Sequence, residues 1–213
     1  MLTSGSDRRE RSGNVAGFVV AAALLVSVLG ASALGRLTRV SEQPPPVLGR
    51  VADFALVDQE SAPVSRGALD GEPWVANFVF TRCPLVCPRL SERMRALQAL
   101  AKSRAAPLRL VTFSVDPQHD APEVLKSYAA GFGADRATWR FLTGSEAQVE
   151  AVARSFSVAL EGEADASKAD FGIMHSGHLI LVDGSGRIRG YYPSSEDGVE
   201  NRILADLGRL EVS

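Results

Sequence analysis

Residues 74–88 read Trp74-Val75-Ala76-Asn77-Phe78-Val79-Phe80-Thr81-Arg82-Cys83-Pro84-Leu85-Val86-Cys87-Pro88. The first half is almost wholly apolar, as a central strand covered on both faces must be. The second half holds both cysteines of the chain, with a proline after each. Beyond Pro88, the apolar residues Leu90, Met94, Leu97 and Leu100 recur at helical spacing. Proline is at home in the first turn of a helix, where its missing N–H has no partner to lose. The stretch therefore predicts a strand over 74–80, a short loop, and a helix from Pro88 to about Leu100. Cys87 falls at the N-cap or in the first turn.

Two thiols placed in this way can exchange electrons with a disulfide or hold a soft metal ion. At the helix start, free N–H groups and the helix dipole favour a thiolate on Cys87. Arg82 and Arg89 add positive charge nearby, and the pair is expected to be reactive and partly ionised. Three residues separate the cysteines, against the two usual in disulfide exchangers. The looser loop allows a wider separation of the sulfurs, which suits an ion such as Cu(I). A purely structural disulfide would stabilise little, because the loop it closes is small.

Two cysteines leave a copper site incomplete, and histidine is the commonest further ligand. The candidates are His119, His175 and His178. His119 lies in the polar segment Asp116-Pro117-Gln118-His119-Asp120 and reads as a solvated loop residue. His175 and His178 flank the start of a strand over 179–182. Their spacing on an extended chain points them to opposite faces, so one of them at most reaches the cysteines. His175 stands at the junction of loop and strand, and His178 reads as a packed residue.

Working outward, Val51–Val57 alternates as a strand should, with a second short strand near Ala62–Ser65. Leu108–Val115 reads as a strand, Pro122–Ala130 as a helix and Trp139–Leu142 as a short strand. Ser145 would cap a helix reaching about Phe156. Glu161–Asp170 reads as an acidic loop. Leu179–Val182 and Arg187–Tyr192 form a hairpin across the turn Asp183-Gly184-Ser185-Gly186, and Val199–Leu210 closes the chain as a helix. This alternation predicts an α/β fold, a mixed sheet with helices on both faces. A central strand leading to two cysteines at a helix start resembles the thioredoxin-like arrangement. The acidic loop and Tyr191-Tyr192 are candidate docking surfaces, against the plainer reading of a solvated loop and packed aromatics.

The chain has 213 residues and a formal net charge of -2. The balance of charge gives no general attraction to nucleic acid. Two cysteines in so long a chain are no disulfide scaffold. Residues 1–14 form a basic N-terminus with Arg8, Arg9 and Arg11, expected in the cytoplasm. Residues 15–35 are expected to form a transmembrane anchor, since the uncharged run from Val15 to Leu34 is long enough to span. Ala31-Ser32-Ala33 offers the alternative of a cleaved signal peptide. Residues 36–47 read as a proline-rich tether, with Pro44-Pro45-Pro46 extended. Residues 48–213 then form one domain on the extracytoplasmic (periplasmic) side, where the surroundings are oxidising.

Over residues 48–210 the chain resembles the Sco/SenC family of copper-binding, thioredoxin-fold assembly proteins. The resemblance is carried by Phe80-Thr81-Arg82-Cys83-Pro84-Leu85-Val86-Cys87-Pro88, by Val111-Thr112-Phe113-Ser114-Val115-Asp116-Pro117, and by His175-Ser176 ahead of Leu181-Val182-Asp183-Gly184-Ser185-Gly186. It implies that Cys83, Cys87 and His175 ligate copper, as Cu(I) or Cu(II). It also implies a part in building the dinuclear copper centre in subunit II of cytochrome c oxidase. The acidic loop 161–170 falls where the family has a mobile segment. One departure stands out: the family commonly has Asp directly before the ligand His, and here that place is Met174. Asp116 is then the acid expected to support the site from outside.

Two activities fit these residues. A metallochaperone, not a catalyst, would carry copper on Cys83, Cys87 and His175 and pass it to subunit II or to another copper or thiol protein. A membrane-tethered thiol–disulfide oxidoreductase would use Cys83 and Cys87 alone, acting on the cysteines of a partner.

Overall fold

The computed structural model describes residues 43–157 and 177–211. The expected anchor over 15–35, the acidic loop Glu161–Asp170, Met174 and His175 all lie outside them. Among the described residues no helix is long and apolar enough to cross a membrane.

Among the described residues eight strands form one sheet: β1 (Gly49–Arg50), β2 (Ala55–Asp58), β3 (Pro63–Ser65), β4 (Trp74–Val79), β5 (Arg109–Ser114), β6 (Trp139–Thr143), β7 (His178–Val182) and β8 (Arg187–Pro193). Their order across the sheet is β1-β8-β7-β4-β5-β6-β2-β3. The central strands β4, β5 and β6 run parallel, joined by helical crossovers. β7 returns antiparallel to β4, and the other pairings are antiparallel as well. The helices are α1 (Val86–Ser103), α2 (Pro122–Gly131), α3 (Glu146–Ser157) and α4 (Val199–Glu211).

Every residue of β4 is buried, as its apolar run required. Alternate side chains serve the two faces. Trp74, Ala76 and Phe78 join Val111 and Phe113 in a core shared with Val149, Val152 and Phe156 of α3. Val75 and Leu110 face the other way, into a core built with Leu90, Met94 and Leu97 of α1, Leu125 of α2 and Ile203 of α4. Helices thus cover both faces, among the described residues three on one side and one on the other. Phe113 sits at the centre of an aromatic group with Phe54, Trp74, Phe78 and Phe156 at centroid distances of 5.3–6.3 Å.

Local signals explain the boundaries. Ser145 caps α3 reciprocally: its hydroxyl accepts from Gln148 N–H, and Gln148 Oε1 accepts from Ser145 N–H at 3.1 Å. The β7–β8 turn is held by Asp183, whose Oδ1 accepts from the N–H groups of Ser185 and Arg187 at 2.9 and 3.0 Å. Gly186 closes it at φ +75, a conformation that favours glycine.

The segment Val51–Val57 is not one strand. Gly49–Arg50 pairs with β8 at one end of the sheet, while Ala55–Asp58 pairs with β6 near the other. Residues 51–54 make the crossing, and Val51 and Phe54 are spaced to pack into the α3-side core on the way. The preceding prolines are held to the domain: Arg189 donates from Nε to the Pro45 carbonyl at 2.9 Å. Arg189 is itself buried and paired with Asp183 at 2.9 Å. Tyr192 is only 2% exposed and Tyr191 donates its hydroxyl to the Phe156 carbonyl at 2.7 Å. Of the two readings of this pair, packed aromatics is the one observed: Tyr191 packs against the α3-side core and Tyr192 lies in the core on the opposite face.

Candidate metal centre

The C-terminal end of β4 delivers the chain to the cysteines. A tight turn follows, in which Cys83 N–H donates to the Phe80 carbonyl at 3.1 Å. α1 then begins at Val86, so Cys87 and Pro88 occupy its first turn. The N-cap position is Leu85, and no side chain caps the helix there. The sulfur of Cys83 takes that place: Cys87 N–H donates to Cys83 Sγ at 3.5 Å. Both cysteines are free thiols, Cys83 half-buried and Cys87 buried.

The electrostatics reverse the expectation drawn from sequence. Burial alone would raise the Cys83 thiol. The N–H groups of Cys87, Leu85 and Val86, with the Cys87 thiol, outweigh it and hold Cys83 below the ordinary thiol range. Burial above all pushes the Cys87 thiol up to about 12, against a backbone hydrogen bond at Phe80; Cys83 and the Asp120 carboxylate add to the rise. The helix N-terminus does favour a thiolate here, but on Cys83 rather than on Cys87. The chemistry of the pair is therefore asymmetric: one nucleophilic sulfur near the surface and one protonated sulfur behind it.

The arginines act differently from expectation as well. Arg82 spends its guanidinium on Asp116, Nη2 to Oδ2 at 2.7 Å. His119 Nδ1 lies 2.7 Å from the other oxygen of Asp116, and these two partners, His119 first, hold the Asp116 carboxyl below the usual range. Asp116 thus braces the residue next to Cys83 from outside the pair. Arg89 is exposed on α1. His119 is half-exposed, as a solvated loop residue should be. His178 is half-buried at the start of β7, its ring edge-on to Tyr191 with centroids 6.5 Å apart.

Among the described residues no three of His, Cys, Asp and Glu come together closely enough to hold a metal ion. Neither His119 nor His178 therefore completes a site with the cysteines. The described chain resumes at Gly177, close to the start of α1. β7 runs antiparallel to β4 with Ala76 opposite Ile180, so the start of β7 lies beside the end of β4. A side-chain carbon placed on Gly177 would be 3.8 Å from Val86 Cγ1. Gly177 has φ +61, and its carbonyl accepts from Ser194 N–H at 2.8 Å. Ser194 in turn accepts from Arg93 Nε of α1 at 2.9 Å. The helix that carries Cys87 thereby also holds the foot of the segment that carries His175.

Two residues of this neighbourhood escape a reading of the sequence. Asp120 is wholly buried, and it accepts from Thr81 N–H at 3.1 Å and from the hydroxyls of Thr81 and Ser114 at 2.6 Å each. Tyr128 of α2 shares a 3.0 Å hydrogen bond with Ser91 of α1. Burial pushes its hydroxyl up to about 12; Ser91 opposes this, and the cysteines and Asp120 add to it. The one signal for Asp120 was an acid just ahead of Pro122, which suggests a helix cap. Its carboxylate instead turns back to the cysteine loop.

A strand running into a sulfur-capped helix, on a mixed sheet with helices on both faces, defines a thioredoxin-like protein with a thiol pair at the end of its central strand. The chain belongs to the SCO1/SenC family, whose description matches residues 44–210. It is 32% identical over 167 residues to the SCO1 protein homolog of Bacillus subtilis, covering 76% of this chain and 83% of that one. It is similar in structure to BsSco, described as a Sco-family cytochrome c oxidase assembly protein with a disulfide switch. The TM-score is 0.66 at 30% identity, over 78% of this chain and 96% of that chain. It is also similar to Bradyrhizobium japonicum ScoI with copper bound, at TM-score 0.57 and 27% identity, over 75% of this chain and 98% of that chain.

Proposed function

We propose that the chain is a copper metallochaperone that holds copper through Cys83, Cys87 and His175 and delivers it to the dinuclear copper centre in subunit II of cytochrome c oxidase. Thiolate sulfur and imidazole nitrogen are a donor set that suits copper. The observation that carries the reading is the approach of Gly177 to Val86. It brings the chain two residues beyond His175 against the residue that precedes Cys87. A copper-bound relative and a relative named for oxidase assembly support the same assignment. In this reading residues 15–35 anchor the chain in the membrane, residues 36–47 lead to the domain, and residues 48–213 work on the extracytoplasmic side. Cys83 offers copper a sulfur already inclined to ionise, and Cys87 gives up its proton as the ion arrives.

The test is a Cu(I) titration of the reduced full chain in competition with a chelator, repeated with His175→Ala. One-to-one binding that weakens at least tenfold in the variant supports the assignment; a tenfold change corresponds to about 1.4 kcal/mol. Binding no stronger than in a variant without both cysteines overturns it.

The asymmetry of the cysteines favours a second activity on the same residues. Cys83, lowered and accessible, would attack a partner disulfide, and Cys87 would resolve the mixed disulfide. Such an exchange would reduce the cysteines of a target before copper is delivered. It does not use His175, so His175→Ala separates the two activities.

A further inference from the structure

The turn that carries Cys83 is tied to the sheet by a residue from a different connection. Asp120 lies between the end of β5 at Ser114 and the start of α2 at Pro122, and it is 0% exposed. Its Oδ1 accepts from the Thr81 hydroxyl at 2.6 Å. Its Oδ2 accepts from Thr81 N–H at 3.1 Å and from the Ser114 hydroxyl at 2.6 Å. Ser114 Oγ itself accepts from Asp116 N–H at 3.1 Å, so its own proton is free for Asp120. All three contacts donate to the acid, which is what a buried carboxylate requires.

Two of these bonds hold Thr81, two residues before Cys83, and the third ties the acid to Ser114 at the end of β5. At the other end of the turn, Cys83 N–H is bonded to the Phe80 carbonyl and Cys83 Sγ accepts from Cys87 N–H. Cys83 is therefore suspended between the residue that Asp120 grips and the first turn of α1. The same connection grips the turn a second time from outside, through Asp116 and Arg82 at 2.7 Å. Two directional bonds fix Thr81 on Asp120 and a third fixes Asp120 on Ser114, where apolar packing would tolerate several positions.

We propose that Asp120 is a positioning residue for the cysteine pair, a buried carboxylate latch that binds Thr81 and Ser114 and so holds Cys83 in place over the start of α1. The proposal rests on the reading of the pair as the working centre, and it holds whether the pair takes copper or exchanges with a disulfide. With the latch closed, the two sulfurs are already neighbours in the reduced protein. Joining them, or clasping one ion between them, then requires little further ordering of the chain. With the latch open, that ordering must accompany each event.

The test is the equilibrium of the full chain with glutathione. Protein dithiol and oxidised glutathione give the Cys83–Cys87 disulfide and two reduced glutathiones. One sulfur–sulfur bond forms as another breaks, and two electrons and two protons pass to glutathione. Asp120→Ala removes the latch. Asp120→Asn keeps it, because the amide oxygen accepts from Thr81 N–H and Ser114 while the amide nitrogen donates to the Thr81 hydroxyl. Val111→Ala, a core change elsewhere on β5, controls for lost stability. We expect Asp120→Ala to lower the equilibrium constant for disulfide formation about tenfold or more, and Thr81→Val about three- to tenfold. Asp120→Asn should stay within about threefold of wild type, and Val111→Ala should leave the constant unchanged. If Asp120→Ala does not fold, Thr81→Val and Asp120→Asn carry the comparison. Asp120→Ala or, in its place, Thr81→Val matching the Val111→Ala control overturns the latch. A wild-type chain that neither forms the disulfide nor binds Cu(I) overturns the reading of the pair itself, and the latch with it.

Discussion

Cys87 donates its backbone N–H to the sulfur of Cys83 at 3.5 Å, and this bond makes one cysteine the cap of the helix that carries the other. Leu85, at the N-cap position, offers no side-chain acceptor to the free N–H groups. The sulfur fills that role and gains anionic character from it. Cys87, in the first turn but buried, does not.

In the reduced protein at pH 7, iodoacetamide should alkylate Cys83 at least about ten times faster than Cys87, because the thiolate is the reacting form and Cys87 is both buried and raised. Peptide mass mapping over time measures it. Cys83→Ser should leave Cys87 nearly inert, whereas Cys87→Ser should leave Cys83 reactive. Faster labelling of Cys87 would reverse the assignment of roles.

Arg93 should matter beyond its own helix. It donates to the Ser194 carbonyl and pairs with Glu200 at 3.2 Å, where the glutamate side chain is 11% exposed. Arg93→Ala leaves Glu200 without that partner and frees the foot of the segment at Gly177. We expect a loss of about 1–3 kcal/mol in urea unfolding. Cu(I) affinity should fall as well, because Arg93 links α1 to the segment that bears His175. Unchanged stability would show that the brace is dispensable.

The β7–β8 turn should make stability acid-sensitive. Burial of Asp183 opposes its ionisation, but hydrogen bonds from the backbone of Arg187 and Ser185 and from the side chains of Arg187 and Arg189 outweigh it and depress its carboxyl. A depressed folded-state value means stability that is fully present above the unfolded value of about 3.9 and lost as the pH falls through the lower folded value. Unfolding free energies measured from pH 6 down to pH 3 should therefore decline at the acid end. Asp183→Asn should be less stable at pH 6 and should flatten that decline. An equal slope in both proteins would remove Asp183 from the account.

Much of the fold could be read from residue pattern. Strand β4, the returning hairpin and the crossover helices announce themselves because their burial is set by short-range periodicity: two faces for a strand, one stripe for a helix. Ser145 and Gln148 mark the start of α3 in the same local way. The segment Val51–Val57 misleads because Val51, Phe54 and Leu56 are apolar for two reasons. Two of them cover the sheet in a crossing, and the third belongs to β2, next to the far edge strand. Pattern records that they are buried, not what buries them.

The cysteine loop was legible as chemistry but not as polarity. Its place between strand and helix follows from Phe80, Pro84 and Pro88. Which sulfur ionises depends on how deeply α1 sinks Cys87 against the sheet, and on Asp120, a residue reached only after another strand has been laid down. The same is true of Tyr191 and Tyr192, adjacent on β8 and facing opposite sides of the sheet, which are both packed because helices cover both faces. Tertiary packing decided each of these, and no local spacing encodes it.

The most direct measurement of the central claim is the X-ray absorption fine structure of copper bound to the full chain. The account predicts two sulfur scatterers and one nitrogen scatterer of imidazole type, with the nitrogen lost in His175→Ala. An imidazole signal that survives His175→Ala, or copper ligated by sulfur alone in the wild type, would contradict it.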